Sequence, residues 1–207
     1  MKRPSYHHGD LANALTVAAT ELARDGGPEA VVLREAARKV GVSATAAYRH
    51  FAGHGDLVHA VKEYAQQRLT ASMEAELAKS VPVADGSGEA LRRIRAIGFG
   101  YLRFALAEPG LFRTAFCRSD KSAEEQAAGM VASPAFRMLS DALDALLAVG
   151  LLPPERRPFA EVYAWSATHG LAMLLLDGPL SQLPEADREQ AIARVIDGVI
   201  DGLVFTA

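Results

Sequence analysis

Residues 33–51 read LREAARKVGVSATAAYRHF. Leu33, Ala36, Ala37 and Val40 fall at helix spacing, and Gly41 ends that segment, because glycine takes a left-handed helix cap without steric cost. Val42 can plug the gap before the next helix. Ser43 is of the residue type that opens a helix by accepting a backbone N–H. The helix it opens runs to about Phe51, with Ala47 and Phe51 facing inward. So tight a turn fixes the crossing angle and projects the second helix outward, as in a helix-turn-helix. Such a helix fits the major groove of DNA with its N-terminal residues near base edges. Thr45 can hydrogen-bond a base or touch a thymine methyl. Tyr48, Arg49 and His50 can reach phosphates, and Arg34 stands near the start of the preceding helix, where free backbone N–H groups also favour an anion. Lys2 and Arg3 are placed to form a minor-groove arm. The same corner also occurs in helical proteins that bind no DNA, and Ala44, Ala46 and Ala47 offer no hydrogen bonds to bases.

Outward from this stretch the period stays helical. Leu11, Leu15, Ala18, Ala19 and Leu22 predict a first helix, stopped by Gly26-Gly27-Pro28. Past the turn at Gly53 and Gly55, Asp56 is expected to cap a long helix reaching about Ser80. Val83–Gly88 reads as a loop. Helices follow from about Glu89 to Ala107, Leu111 to Phe116, Pro134 to Val149, Glu155 to Leu176 and Pro184 to Phe205. Residues 119–128 are open between loop and helix. The expectation is an all-α chain of about nine helices, divided into a head (residues 1–55) and a helical ligand-binding and dimerisation part (56–207), with 56–80 as the connecting helix.

Bulk properties agree with an ordinary globular chain. Of 207 residues, half are hydrophobic, so disorder is excluded as a class. The net charge of -3 says nothing for nucleic acid. Residues 1–60, however, hold seven Lys/Arg against six acids, leaving the excess acidity to the rest. The one cysteine, Cys117, permits no internal disulfide and suits a reducing compartment, so a cytoplasmic location is expected. No apolar run reaches the ~18 residues of a membrane span, so no membrane partner is expected. His50, His54 and His59 suggest a metal site by spacing, but Gly53 breaks the helical face and no acid or cysteine completes a set. No phosphate-binding glycine loop appears. No metal, cofactor or catalytic residue is expected, and the chain is read as not an enzyme.

The run YHHGDLANAL…AARKVGVSATAAYRHFAGHGDLVHAV, over residues 6–61, resembles the N-terminal domain of the tetracycline-repressor (TetR) family of bacterial regulators. The resemblance implies DNA contacts by Arg34, Thr45, Tyr48 and His50. It places His54 where many members carry a phosphate-contacting lysine, and Ala46 at a position that often reads bases. GYLRFALAEPGLFRTAF resembles a helix pair of the same family. YAWSATHGLAMLLLDG resembles its WHG subgroup, through Trp165, His169 and Gly170. What the family implies is a small-molecule pocket and a four-helix dimer interface built from the last two long helices.

The residues themselves leave both points open. Phe99, Phe104, Phe112 and Phe116, with Tyr101, cluster in sequence, and Trp165, His169 and Met173 lie on one helical stripe. Aromatic bodies around one titratable group suit a pocket for a partly apolar effector, and equally suit plain core. Ile192, Val195, Ile196, Val199 and Leu203 form a band wide enough for a dimer interface, helped by Gly198 and Gly202 four residues apart; burial within one chain is the alternative. The resulting expectation is a ligand-responsive repressor that binds a palindromic operator as a homodimer and is released by a small molecule. The rival readings are a helical interaction or ligand-binding protein that has lost sequence-specific DNA binding, and an enzyme using His169.

Overall fold

The structure is a computed structural model that describes residues 8–118 and 122–204, with side chains from residue 11 onward. Lys2 and Arg3 lie outside the described residues. The described residues form ten α-helices, two 3-10 turns and no strand: α1 His8–Gly26, α2 Leu33–Val40, α3 Ala44–Ala47, α4 His54–Lys79, α5 Gly86–Ala107, α6 Pro109–Phe116, α7 Ala123–Ala132, α8 Pro134–Ala148, α9 Ala160–Leu176 and α10 Glu185–Val204, with 3-10 turns at Pro28–Ala30 and Pro154–Arg156. None of these helices is long and apolar enough to cross a membrane.

The chain divides into two compact units. The first comprises residues 1–66 and 108–123, so it takes α6 from the far side of the chain segment that sequence order assigns to the other half. α1 buries Leu15, Ala18, Ala19 and Ala23, an i, i+3, i+4, i+8 stripe. It packs against α2 and α6, which contribute Leu33, Ala36 and Ala37, and Leu111, Phe112 and Ala115. The α2–α3 corner forms as its residues dictate. Gly41 sits at φ 77° in the left-handed region, and the Val42 N–H reaches back to the Ala37 carbonyl at 3.0 Å. Ser43 is extended and its Oγ accepts the Ala46 N–H at 3.2 Å.

α3 is shorter than the periodicity predicts. After Ala47 the hydrogen bonds tighten from i−4 to i−3, with the Arg49 N–H on the Ala46 carbonyl and the His50 N–H on the Ala47 carbonyl. The last turn is therefore 3-10-like, and it ends with Phe51 buried. α4 also differs at its start. It begins at His54, and Asp56 lies inside the first turn, where Oδ2 accepts the Ala52 N–H at 2.9 Å. The carboxylate reaches back as the acid of a capping box does, instead of standing at the N-cap.

The second unit comprises residues 67–107 and 124–207. α5 packs against α8, α9 and α10 and buries Ile94, Ile97, Tyr101, Leu102 and Phe104. Arg92 on α5 donates from Nη1 to the Leu77 carbonyl at 2.8 Å, closing the C-terminal end of α4. Hydrogen bonding to Arg92 holds the Glu89 carboxyl well below the usual carboxylate range. α9 starts at Ala160, five residues later than the periodicity predicts. Pro158 offers no backbone N–H, and Phe159 sits at φ 61° in the left-handed region, so the 3-10 turn at Pro154–Arg156 cannot run on into α9.

Candidate functional site

The reading head presents its side chains as a surface. Arg34, Ser43, Thr45, Tyr48, Arg49 and His54 are exposed, and His50 is half-buried. Thr45, Tyr48 and Arg49 stand at i, i+3 and i+4, so they share the outward face of α3 and its closing turn, while Ala47 and Phe51 face the core. Tyr48 keeps 48% of its surface open although it is a large aromatic. The cations divide by role. Lys39 pairs with Glu21 at 2.9 Å and Arg38 with Glu35 at 2.9 Å. Among the described residues, Arg34 and Arg49 have no acid partner, so their charge is available to phosphate. No group of three His, Cys, Asp or Glu among the described residues is placed to hold a metal ion.

α6 is bound into this unit by contacts that the sequence does not advertise. Gly110 lies against the carbonyls of Ala23 and Arg24, in the last turn of α1. Arg24 Nε meets Glu108 Oε2 at 2.9 Å. From α4, Lys62 Nζ donates to the Cys117 carbonyl at 2.9 Å and Gln66 Nε2 to the Ala115 carbonyl at 3.0 Å. Those two side chains satisfy carbonyls that the end of α6 leaves orphaned. Only the Pro109-Gly110 pair hinted at an unusual approach.

The expected pocket residues are drawn from both units. Phe112 and Phe116 belong to the first unit and pack on each other, with ring centroids 5.0 Å apart. Phe99, Phe104, Trp165, His169 and Met173 belong to the second. There Phe104 is core, Phe99 is half-buried and Met173 is exposed. What the second unit does assemble is a polar relay through Tyr101, which sequence reasoning placed only among the aromatics. Trp165 Nε1–H donates to the Tyr101 hydroxyl at 3.0 Å, and that hydroxyl lies 2.7 Å from His169 Nδ1. The indole can only donate, whereas the hydroxyl and the imidazole can exchange roles with the tautomer of His169. Burial pushes the Tyr101 hydroxyl above the ordinary tyrosine range and His169 below its ordinary 6.5.

The relay makes an acid-sensitive element. A depressed native pKa means that the unfolded chain binds the proton first as pH falls. This contribution is fully present above the ordinary value of 6.5 and is lost as pH falls through the native pKa of His169. The urea midpoint is expected to drop between about pH 7.5 and about pH 5.5, and the drop to shrink in His169→Gln. An equal drop in both chains would assign the acid sensitivity elsewhere.

The band on α10 lies mostly inside the chain. Ile192, Ile196, Val199 and Leu203 are buried within the chain, Ile192 to 1% exposure, and Val195 is half-buried. α10 packs against α5 and α9, and a Cβ on Gly98 of α5 would touch Ile196 at 3.3 Å. Gly202 is covered by the Tyr163 hydroxyl of the same chain, whereas Gly198 is open.

An outward-facing helix-turn-helix in one unit and a helical bundle in the other are the two parts that a helix-turn-helix transcription regulator combines. Two family models match the chain: bacterial regulatory proteins of the tetR family over residues 15–61, and the tetracyclin repressor-like C-terminal domain over residues 94–199. The chain belongs to the TetR family. A protein of unknown function from Rhodococcus sp. RHA1 is similar at 25% identity with a TM-score of 0.76, covering 98% of this chain and 100% of that one. A TetR family transcription regulator from Marinobacter aquaeolei VT8 is similar at 19% identity and a TM-score of 0.65, covering 93% and 95%. A TetR variant from Acinetobacter baumannii AYE in complex with minocycline is similar at 18% identity and a TM-score of 0.62, covering 96% of each. The last two likenesses concern the fold alone. No curated protein sequence matches.

Proposed function

We propose that the chain is a repressor that binds a palindromic operator as a homodimer and releases it when a small, partly apolar molecule binds the second unit. The observation that carries the DNA half is the exposed set Thr45, Tyr48 and Arg49 on a helix capped by Ser43, with Arg34 and Arg49 uncommitted to any acid among the described residues. Arg34, Tyr48, Arg49, His50 and His54 hold phosphates, and Thr45 meets a base edge. The effector sits near Trp165, Tyr101 and His169, where aromatic faces adjoin a neutral imidazole. A similar structure is a complex with minocycline, in keeping with a small-molecule effector. α4 runs through both units, 54–66 in the first and 67–79 in the second, and is the physical link by which effector and operator oppose each other. Such coupling is typically ~1–3 kcal/mol.

The chain–chain contact uses the outer stripe of α9. Phe159, Val162, Tyr163, Ser166, Met173 and Leu174 are all exposed and carry no charge. They recur at helix spacing, as a face that meets another helix requires.

Selection of bound duplexes from a random pool tests the proposal. The expected product is a palindrome with half-sites about one helical turn apart. On that duplex Tyr48→Ala is expected to lose about 10-fold or more in affinity with the dimer intact, as removal of a hydrogen bond to a charged phosphate does. Unchanged affinity would remove α3 as the reading element. Failure to enrich any sequence even at low salt, where phosphate contacts are strongest, would favour an interaction protein.

A further inference from the structure

We propose, resting on the DNA-binding reading, that α3 selects thymine: its side chains recognise thymine C5-methyl groups in the major groove by apolar contact, and not by hydrogen bonds to base edges. The α-helical part of the reading element is a single turn, Ala44–Ala47, and the hydrogen bonds tighten to i−3 immediately after it. Base contact is therefore confined to few side chains. Ala47 belongs to the core. Ser43 Oγ accepts the Ala46 N–H and serves the helix as its cap. Ala44 and Ala46 are half-buried and Thr45 is exposed. The side chains of this turn that are not core thus carry three methyl groups and one hydroxyl.

Such short side chains let the helix backbone come close to the base edges, since nothing longer than threonine stands between. They also decide which edge is tolerated. In the major groove guanine, cytosine and adenine present only acceptors and donors, whereas thymine adds a C5-methyl group to its O4. A guanine or cytosine edge covered by methyl groups gives up hydrogen bonds to water and gains none in return. A thymine methyl in the same place gains burial. The charged neighbours fit this division of labour. Among the described residues Arg34 and Arg49 have no acid partner. On phosphates they hold the turn in the groove whatever the sequence, and discrimination is left to the methyl groups.

The duplex selected from a random pool is the probe, together with the same duplex carrying deoxyuridine in place of thymine at the fixed positions. Deoxyuridine pairs as thymine does and lacks only the methyl. The expected result is a half-site with thymines among its fixed positions. Deoxyuridine is expected to weaken binding by about 4-fold for each methyl in contact, the worth of one buried carbon. Two variants of the exposed Thr45 separate its methyl from its hydroxyl. In Thr45→Ser, which keeps the hydroxyl and drops the methyl, the ratio of affinities for the two duplexes is expected to shrink. In Thr45→Val, which keeps a methyl there and drops the hydroxyl, that ratio is expected to persist, whatever happens to affinity itself. Fixed positions that are guanine and cytosine alone, equal affinity for the two duplexes, or a ratio lost in Thr45→Val and kept in Thr45→Ser would overturn methyl recognition and leave DNA binding standing. Enrichment of no sequence would remove the DNA-binding reading and methyl recognition with it.

Discussion

Gly110→Ala is expected to destabilise the reading unit by about 3 kcal/mol, near the top of the range for overpacking a filled core. A Cβ at this position would lie 2.9 Å from the Arg24 carbonyl carbon and closer still to the carbonyl oxygens of Ala23 and Arg24. Those are backbone atoms of a helix end, which cannot rotate aside as a side chain can. α6 must therefore lift from α1, drawing Phe112 from a position of 0% exposure and straining the Lys62 and Gln66 hydrogen bonds to its last carbonyls. Urea denaturation measures the loss. Gly129→Ala supplies a contrast of opposite sign. It lies within α7 with nothing near the added methyl, so alanine is expected to stabilise by roughly 0.5–1 kcal/mol through helix propensity. If Gly110→Ala leaves the urea midpoint unchanged, the packing of α6 on α1 described here is wrong.

Leu174→Arg is expected to turn a dimer into a monomer and to lower operator affinity by about 100-fold or more. Leu174 is 44% exposed on the uncharged stripe of α9. A charge placed there adds nothing unfavourable to a lone chain in water, but in a two-fold contact each copy buries it without a counter-charge. Two linked half-site contacts act as one binding event whose advantage over separate contacts is ~10²–10⁴, so splitting the dimer forfeits most of it. Sedimentation equilibrium gives the mass and a titration of labelled operator gives the affinity. A Leu174→Arg chain that remains dimeric would move the contact off this face of α9.

The α2–α3 corner was readable residue by residue because each of its determinants is local. Gly41 caps, Ser43 accepts a hydrogen bond three residues ahead, and Ala47 with Phe51 marks the inner face. Where a determinant was local but overlooked, the boundary moved: Pro158 delays α9 to Ala160. The rest depended on contacts distant in sequence. The period of α10 shows that Ile192, Ile196, Val199 and Leu203 share a face, but not whether α5 and α9 of the same chain or a second chain cover it. Tyr101 and His169 are 68 residues apart, and no local pattern announces that a hydroxyl from α5 links two side chains of α9. Phe112 and Phe116 follow Phe104 closely along the chain, yet they belong to the other compact unit.

That the first unit is discontinuous also bears on how the chain is made. Its N-terminal helices leave the ribosome first, but the surface of α1 that receives Gly110 and Phe112 stays uncovered until residues 67–107 and then α6 have been synthesised. During that interval the nascent head carries an open apolar groove, the kind of surface that chaperones hold and that aggregates when they do not. Closing a loop of this length adds only a modest entropic cost, so the vulnerability is one of timing more than of final stability. A gene fragment ending at Gln66 would leave the newborn head permanently at this stage, with its DNA-facing residues present and the helix that completes their scaffold missing.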